Sequence, residues 1–185
     1  MAKLLYIANM SLDGYCEDRK GGIDFGPPDE EYFGMINELE RPVGTYLYGR
    51  RMYQAMTYWE TAPVDEQPPW VADFTELWRG ADKRVFSTTL TGVASAKTSL
   101  EREFDVEEIR RLKAETVHDL TVGGANLAAQ ALEAGLVDEC HLFFWPVMLG
   151  GGKPAIPAHG RRELELLSER RSRSGVVHLR YRVAP

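Results

Sequence analysis

The sequence predicts a single α/β domain over residues 1–185, with three layers and a mixed, mostly parallel central sheet. Two observations lead to this prediction. Short apolar runs that suit buried strands alternate with amphipathic helical segments along most of the chain, which is typical of a parallel sheet covered by helices. The final segment, 177–183, instead alternates apolar and polar residues, so we expect an antiparallel strand with one face in water.

Composition narrows the class of protein. The chain has 44% hydrophobic and 27% charged residues, which are ordinary values for a globular domain. Its net charge of −6 argues against a nucleic-acid partner, because such proteins usually carry a basic surface. The two cysteines are far apart and the four histidines form no ligand pattern, so no metal site is predicted. Neither a signal peptide nor a membrane-spanning run is visible, and we expect a cytoplasmic protein.

The first half of the chain alternates strands and helices. Residues 3–10 are apolar without a helical period and are predicted to form a buried strand. Asp29 is a good N-cap for the amphipathic segment that follows it. The predicted elements here are a strand over 3–10, a helix over 29–39, a strand over 45–48, a helix from 49, a helix over 71–78 and a strand over 83–87.

The second half continues the pattern. We predict a charged helix over 100–113, a strand over 120–122, a helix over 126–134 that ends at Gly135, and a strand over 141–145. The apolar segment 140–149 could be sheet core, a subunit contact or both. The arginines between 161 and 173 are interrupted by glutamates, which favours a solvated surface of mixed charge.

Two glycine-containing turns connect a strand to a helix. Gly123 and Gly124 follow the strand at 120–122 and precede an alanine-rich helix. Backbone N–H groups at a helix start can bind an anion where the side chains are small. A Gly-Gly pair alone is more often a simple turn. The second turn, Gly49-Arg50-Arg51-Met52, places two arginines at a helix start, where a bound phosphate would offset their charge.

A third cluster follows the strand at 83–87. Ser87, Thr88 and Thr89 offer hydroxyl groups at the carboxyl end of that strand, and open α/β sheets bind ligands at such ends. Together, the three clusters indicate a dinucleotide site. The Gly-x-Gly-x-x-Gly fingerprint is missing from the sequence, which argues against an ordinary Rossmann domain.

Five short motifs carry a family resemblance. The chain resembles the dihydrofolate reductase-like superfamily, and in particular the branch related to the reductase domain of the bifunctional riboflavin-biosynthesis deaminase–reductase. The resemblance spans almost the whole chain and rests on 9-NMSLDGY-15, 48-YGRRMY-53, 122-VGGANL-127, 135-GLVDE-139 and 146-PVMLGGG-152. It implies a homodimeric, NADPH-dependent reductase with a mixed central sheet.

The resemblance also implies which residues bind the cofactor. The turn at 49–51 would bind the adenosine-side phosphates, with Met52 beside it, while Ser87 and Thr88 would flank the 2′-phosphate. The nicotinamide would lie against the backbone of Ile7 and Ala8, below a mobile loop at 11–14. The pyrophosphate would be held by Gly123, Gly124, Ala125, Asn126 and Leu127. Since Asn126 replaces a residue that is often basic, discrimination for the 2′-phosphate would depend on Arg50 or Arg51.

The catalytic acid is harder to assign. Asp29 has a spacing to Tyr32 and Phe33 similar to the carboxylate motif of true dihydrofolate reductases, so it could orient or supply a proton. It is equally suited to cap the helix. Glu30 and Asp13 are rival candidates, although Asp13-Gly14 is also an ordinary turn.

These observations predict an NADPH-dependent reductase that transfers hydride to a C=N or C=O bond of a small heterocycle, either pterin-like or ribosylaminopyrimidine-like. The first alternative is a non-catalytic NADP(H)-binding protein that keeps the nucleotide site and has lost the substrate site. The second is a flavin-binding relative. The long, glycine-rich loop before residue 29 argues against folate itself.

Overall fold

The computed structural model describes residues 2–156 and 160–184. Its strands are β1 (Leu4–Ser11), β2 (Tyr15–Glu17), β3 (Val43–Gly49), β4 (Asp82–Phe86), β5 (Thr98–Glu101), β6 (Asp119–Gly123), β7 (Glu139–Trp145), β8 (Lys153–Pro154), β9 (Leu164–Arg171) and β10 (Val177–Val183). Its helices are α1 (Glu30–Glu40), α2 (Arg50–Met56), α3 (Tyr58–Thr61), α4 (Pro69–Gly80), α5 (Val106–Glu115) and α6 (Ala125–Glu133), with a 3-10 turn at Val64–Glu66.

Eight of the strands form one sheet in the order β5-β4-β3-β6-β1-β7-β10-β9. The six strands from β5 to β7 are parallel to one another, and β10 and β9 complete the sheet in antiparallel pairings. Strands β2 and β8 form a separate ribbon. The predicted mixed sheet with an antiparallel C-terminal strand is therefore confirmed.

The helices cover both faces of the sheet and complete three layers. On one face, Leu127, Leu132 and Ile109 from α6 and α5 pack with Tyr6 and Val122 of the sheet. On the other face, α1 and α4 pack over β3 and β7, and Trp78 of α4 is fully buried there. Alternate residues of β1 consequently point into two different cores.

One predicted helix is partly wrong. Residues 98–101 form β5 rather than the start of a helix, and α5 begins only after Asp105. The Asp105 side chain accepts hydrogen bonds from the N–H groups of Glu107 and Glu108, which fixes the helix start. The strand pairs with β4 from Lys83 to Phe86, so its conformation is set by a neighbour that is distant in sequence.

The arginine-rich segment also folds differently from the simplest expectation. Its charges are exposed, as predicted, but residues 164–171 form the edge strand β9. Ion pairs such as Arg182–Glu165 and Arg170–Glu38 lie on its surface. Charged residues are common on edge strands because they discourage pairing with another chain.

A buried polar cluster occupies the amino-terminal edge of β1 and β7. Glu139 accepts hydrogen bonds from Lys3 Nζ at 2.7 Å and from Arg180 Nε at 2.8 Å. The ring of His141 lies 3.3 Å from the same carboxylate and 3.2 Å from the ring of His178. Although burial opposes the charge, Arg180 and Lys3 lower the pKa of Glu139 to about 2. Burial lowers the pKa of both histidines to about 4.

The described residues were also compared with what a membrane-spanning helix and a metal site require. Among residues 2–156 and 160–184, no helix combines the length and the apolar character needed to cross a membrane. Within the same ranges, no three His, Cys, Asp or Glu side chains are grouped as metal ligands.

Candidate functional site

The two predicted glycine turns lie side by side at the carboxyl edge of the sheet. Strands β3 and β6 are neighbours, and Tyr48 lies opposite Gly123. A Cβ atom placed on Gly124 would lie 3.4 Å from Met52 Cβ and 3.8 Å from Gly49 N. The starts of α2 and α6 thus face one another across the ends of two adjacent strands.

Neither of these helix starts is capped by a side chain. The N-cap residues are Gly49 for α2 and Gly124 for α6, and neither can form a side-chain cap. By contrast, Asp29 caps α1 and Asp105 caps α5. The first N–H groups of α6 are left without a side-chain acceptor, and an anion could supply one.

The two glycines at 123–124 are required for different reasons. Gly124 has φ +96°, a conformation that residues with a Cβ atom rarely adopt. A Cβ on Gly123 would lie 2.7 Å from Cδ1 of the Tyr48 ring. Gly123 therefore makes room for a buried tyrosine, and its role at the pyrophosphate stays a prediction.

The next three residues, 125–127, differ in which of their groups could contact a ligand. The side chains of Ala125 and Leu127 are buried against the core, and that of Asn126 is exposed at the first turn of α6. Only Asn126 can reach a ligand with its side chain, while the other two can offer backbone N–H groups.

Arg50 and the cluster at 87–89 come together, as the dinucleotide prediction requires. Arg50 Nη1 donates to Thr89 Oγ1 at 2.9 Å, on the exposed surface. The Ser87 hydroxyl accepts from the N–H of Leu90 at 3.0 Å, so it organises the turn. The exposed Thr88 has no hydrogen bond to any described residue. One arginine and one free hydroxyl thus line this end of the site.

Arg51 points in another direction. Its guanidinium lies 3.4 Å from Glu17 Oε1 of β2, and the side chain is 78% exposed. It lines an open cleft of about 960 Å³ between α2, the loop after β2 and the segment before β8. Lys153 and Arg19 line the same cleft. Arg50 and Arg51, the two candidates for the 2′-phosphate, therefore point to different parts of the surface, and the choice between them stays a prediction.

The predicted nicotinamide position lies where β1 and β6 diverge. Strand β1 pairs with β6 only from Leu4 to Tyr6, whereas its pairing with β7 continues to Ser11. From Ile7 onward, including Ala8, β1 has no register partner on the β6 side. This opening begins at the two residues that the resemblance assigns to the nicotinamide.

Asp29 is held in a structural role. Its Oδ1 accepts from Tyr32 N at 2.8 Å, and its Oδ2 accepts from Ser174 N at 2.7 Å. Burial alone would raise the pKa of Asp29, but the hydrogen bonds from Tyr32 and Ser174 lower it. A carboxyl group with a lowered pKa is a poor proton donor near neutral pH. The hydrogen bonds match the capping alternative, and the catalytic role remains a prediction.

The other two acid candidates, Asp13 and Glu30, are both exposed, and their catalytic role stays a prediction. Asp13 accepts from the N–H groups of Leu149 and Gly150 at 3.0 and 2.8 Å. Hydrogen bonds from Ser11 and from those two N–H groups lower the pKa of Asp13. Glu30 is exposed in the first turn of α1. Asp13 fastens the loop at 11–14, which the resemblance had described as mobile, to the loop after β7.

Aromatic residues near this edge of the sheet, namely Tyr48, Tyr53 and Trp145, belong to one buried cluster. The hydroxyl of Tyr48 accepts from the indole of Trp78, and that of Tyr53 accepts from Ala94 N. Trp145 is also buried, and its indole Nε1 donates to Asn9 Oδ1 at 2.9 Å.

Sequence reasoning did not single out Asn9. The available signal was an amide in an otherwise apolar strand, at the beginning of the 9-NMSLDGY-15 motif.

Comparison with known proteins identifies the family. Residues 2–178 match the family model described as the RibD C-terminal domain. YyaP of Bacillus subtilis (strain 168), an uncharacterized protein, is 31% identical over 176 residues, which cover 93% of this chain and 90% of YyaP.

Solved structures share the fold. A protein from Shewanella sp. PV-4 attributed to riboflavin biosynthesis aligns over 100% of both chains, with a TM-score of 0.77 and 21% identity. A pyrimidine reductase-like protein from Corynebacterium diphtheriae has a TM-score of 0.69 at 15% identity, over 100% of this chain and 92% of that chain.

The bifunctional deaminase/5-amino-6-(5-phosphoribosylamino)uracil reductase of Thermotoga maritima also has a TM-score of 0.69 at 15% identity. The alignment covers 99% of this chain but 57% of that enzyme. The match over residues 2–178 shows that the chain belongs to the RibD C-terminal domain family, whose reductase-like members share the dihydrofolate reductase-like fold.

Proposed function

We propose that this chain is an NADPH-dependent reductase that transfers hydride to a C=N or C=O bond of a small heterocycle, of the ribosylaminopyrimidine or pterin class. Family membership supports the reductase class. The observation that carries the cofactor is the uncapped start of α6 at Gly124, where a Cβ atom would lie 3.8 Å from Gly49 N, next to the start of α2 at Arg50.

The residues at this edge match the chemistry of a phosphorylated dinucleotide. The backbone N–H groups at 124–126 would bind the pyrophosphate. Arg50, with Thr88 and Thr89, would bind the 2′-phosphate, because a guanidinium presents paired donors to phosphate oxygens. The β1 opening at Ile7 would receive the nicotinamide. When bound, NADPH supplies the hydride, and the protein supplies position and electrostatics.

Arg51 and the cleft it lines fit the substrate side better than the adenosine side. The cleft carries Arg51, Arg19, Lys20 and Lys153 against Glu17 and Asp18, an excess of positive charge. A substrate that carries a phosphate group would be attracted to this cleft.

A non-catalytic nucleotide-binding protein is the second candidate. It is favoured by the state of Asp29, whose two carboxylate oxygens already accept hydrogen bonds. Turnover by an Asp29→Asn variant at the wild-type rate would leave the aspartate only its capping role. A large loss of kcat with an unchanged melting temperature would instead support a catalytic role.

The primary test combines binding and turnover. Saturating NADPH should raise the melting temperature, since a ligand at 100 times its Kd adds roughly 2.7 kcal/mol to stability. Oxidation of NADPH should then depend on one compound in a panel of ribosylaminopyrimidines, pterins, flavins and quinonoid carbonyls. Binding without turnover on any of them would favour the second candidate. No melting shift with NADPH would contradict both.

We also propose that the protein is a homodimer. Strand β7, which includes most of the segment considered for a subunit contact, lies between β1 and β10 and is core. The exposed apolar side chains Leu164, Leu166 and Val177 lie instead on β9 and β10. Sedimentation equilibrium would test the dimer, and a monomer at all concentrations would contradict it.

A further inference from the structure

Asn9 places a polar side chain on an apolar face of β1. Asn9 lies on the same face of the strand as Leu5 and Ile7, because alternate residues of a strand share a face. It therefore points toward the layer that contains α1. Its Oδ1 accepts a hydrogen bond from Tyr32 OH at 2.9 Å and another from Trp145 Nε1 at 2.9 Å. An indole N–H can only donate. The amide oxygen must therefore face Trp145, and this fixes the orientation of the whole amide group.

The other half of the amide is unused. Nδ2 can donate two hydrogen bonds, yet neither is made to any residue within 2–156 or 160–184. Asn9 is half-buried and lies near the carboxyl end of β1, so it is not sealed inside the core. A donor held in a fixed direction with no protein partner is well prepared to bind an acceptor.

The surroundings of Asn9 are aromatic. The Tyr32 and Trp145 rings have centroids 5.0 Å apart, and Phe25 stacks on Trp145 at 6.1 Å with an interplanar angle of 25°. Asn9 also lies two residues beyond Ile7, where β1 loses its β6 partner. A heterocycle beside the nicotinamide position would meet aromatic rings on one side and one oriented amide donor.

We propose that Asn9 determines substrate specificity by donating from Nδ2 to a carbonyl oxygen on the substrate ring. This inference rests on the function proposed above. Because Oδ1 is fully engaged, the site offers a donor and no acceptor at this point. An amino group at the same ring position would place two donors against each other, and a site of this kind rejects the mismatched analogue. Asn9 would thus select oxo-pyrimidines over amino-pyrimidines.

Two pyrimidines form a matched pair of probes. In tetraaminopyrimidine, amino groups replace both ring carbonyls of diaminouracil. With NADPH saturating, the wild-type protein should bind diaminouracil about 10-fold more tightly, the value of one mismatched hydrogen bond of about 1.4 kcal/mol. Calorimetric titration measures both affinities without requiring turnover.

The Asn9→Asp variant provides the decisive comparison. One carboxylate oxygen can still accept from Tyr32 and Trp145, while the second presents an acceptor in place of Nδ2. The preference should therefore reverse toward tetraaminopyrimidine. Asn9→Ala, which offers neither donor nor acceptor, should bind the two probes equally and gives a second readout if the aspartate variant folds poorly. The melting shift caused by NADPH should stay unchanged in both variants.

The outcomes separate this inference from the proposed function. If the wild type binds NADPH and diaminouracil but both variants keep its preference, Asn9 only fastens β1 to its neighbours and the inference is overturned. A wild-type preference for tetraaminopyrimidine would overturn it as well. A wild type that does not bind NADPH would contradict the proposed function itself.

Discussion

The two edges of the sheet use charged residues in opposite ways. At the amino edge, Glu139 is buried and accepts hydrogen bonds from Lys3 and Arg180. At the carboxyl edge, Arg50 and Arg51 are exposed beside helix starts that have no side-chain cap. One edge satisfies its charges internally and should contribute to stability. The other leaves donors available and should contribute to binding.

The comparison makes the roles of the two edges separable by mutation. Variants at the amino edge should lower the free energy of unfolding and leave nucleotide affinity unchanged. Variants at the carboxyl edge should mainly lower nucleotide affinity.

Glu139→Gln should produce the largest loss of stability, about 2 kcal/mol. The change leaves Lys3 and Arg180 without their counter-charge, and because both side chains are more than a third exposed the loss is smaller than for a fully buried pair. Urea denaturation measures the loss. The control is Glu165→Gln, which breaks the exposed pair with Arg182 and should cost no more than about 1 kcal/mol. Equal losses in the two variants would show that the amino-edge cluster has no special role.

The stability gap between the wild type and Glu139→Gln should depend on pH. The pKa of Glu139 falls from 4.5 to about 2 on folding, so its contribution is complete above pH 4.5. It is lost as the pH falls toward 2, where the folded protein also binds the proton. Denaturation curves across this range should show the gap closing, and a constant gap would contradict the ion-pair account.

Much of this fold could be predicted because local signals agree with the final packing. The periodicity of α1, the apolar runs of β1 and β7 and the glycines before α6 all act over short distances in sequence. Strands β5 and β9 were missed for a common reason. Their sequences, 98-TSLE-101 and 164-LELLSERR-171, are polar and short of β-branched residues, so strand conformation there depends on pairing with β4 and β10.

Sequence-based prediction of the candidate site is limited in the same way, by contacts between residues that are distant in sequence. Gly49, Arg50 and Gly124 could be grouped from sequence because each follows a predicted strand. The roles of Asp29 and Asn9 could not, because they depend on Ser174 and Trp145, which lie more than 130 residues away in sequence.

Gly124→Ala should weaken NADPH binding about 10- to 100-fold. A Cβ atom there is strained at φ +96° and approaches Met52 at 3.4 Å, which displaces the N–H groups at the start of α6. Gly135→Ala is the matched control, because Gly135 also has positive φ (+64°) but has open space around it. Both variants should lose about 1 kcal/mol of stability, and only Gly124→Ala should lose affinity. Equal nucleotide affinities in the two variants would remove the start of α6 from the binding site.

The wild type should also lose stability in a second pH range, above the range in which Glu139 is protonated. Burial holds the pKa of His141 and His178 at about 4, below the ordinary 6.5. The unfolded chain therefore binds protons first, and stability falls as the pH drops from 6.5 to 4. His178→Gln should reduce this slope in chemical denaturation, since an amide can still donate to His141 but does not titrate. An unchanged slope would show that other groups cause it.

The central claim, that the carboxyl edge binds NADPH through Arg50, is tested most directly by calorimetric titration of NADPH and NADH. Arg50 lies with Thr89, and Arg51 lies with Glu17, so the two arginines are controls for each other. We predict that the wild type prefers NADPH, that Arg50→Ala loses this preference by about 10-fold, and that Arg51→Ala keeps it. An unchanged preference in Arg50→Ala, or a loss confined to Arg51→Ala, would contradict the account.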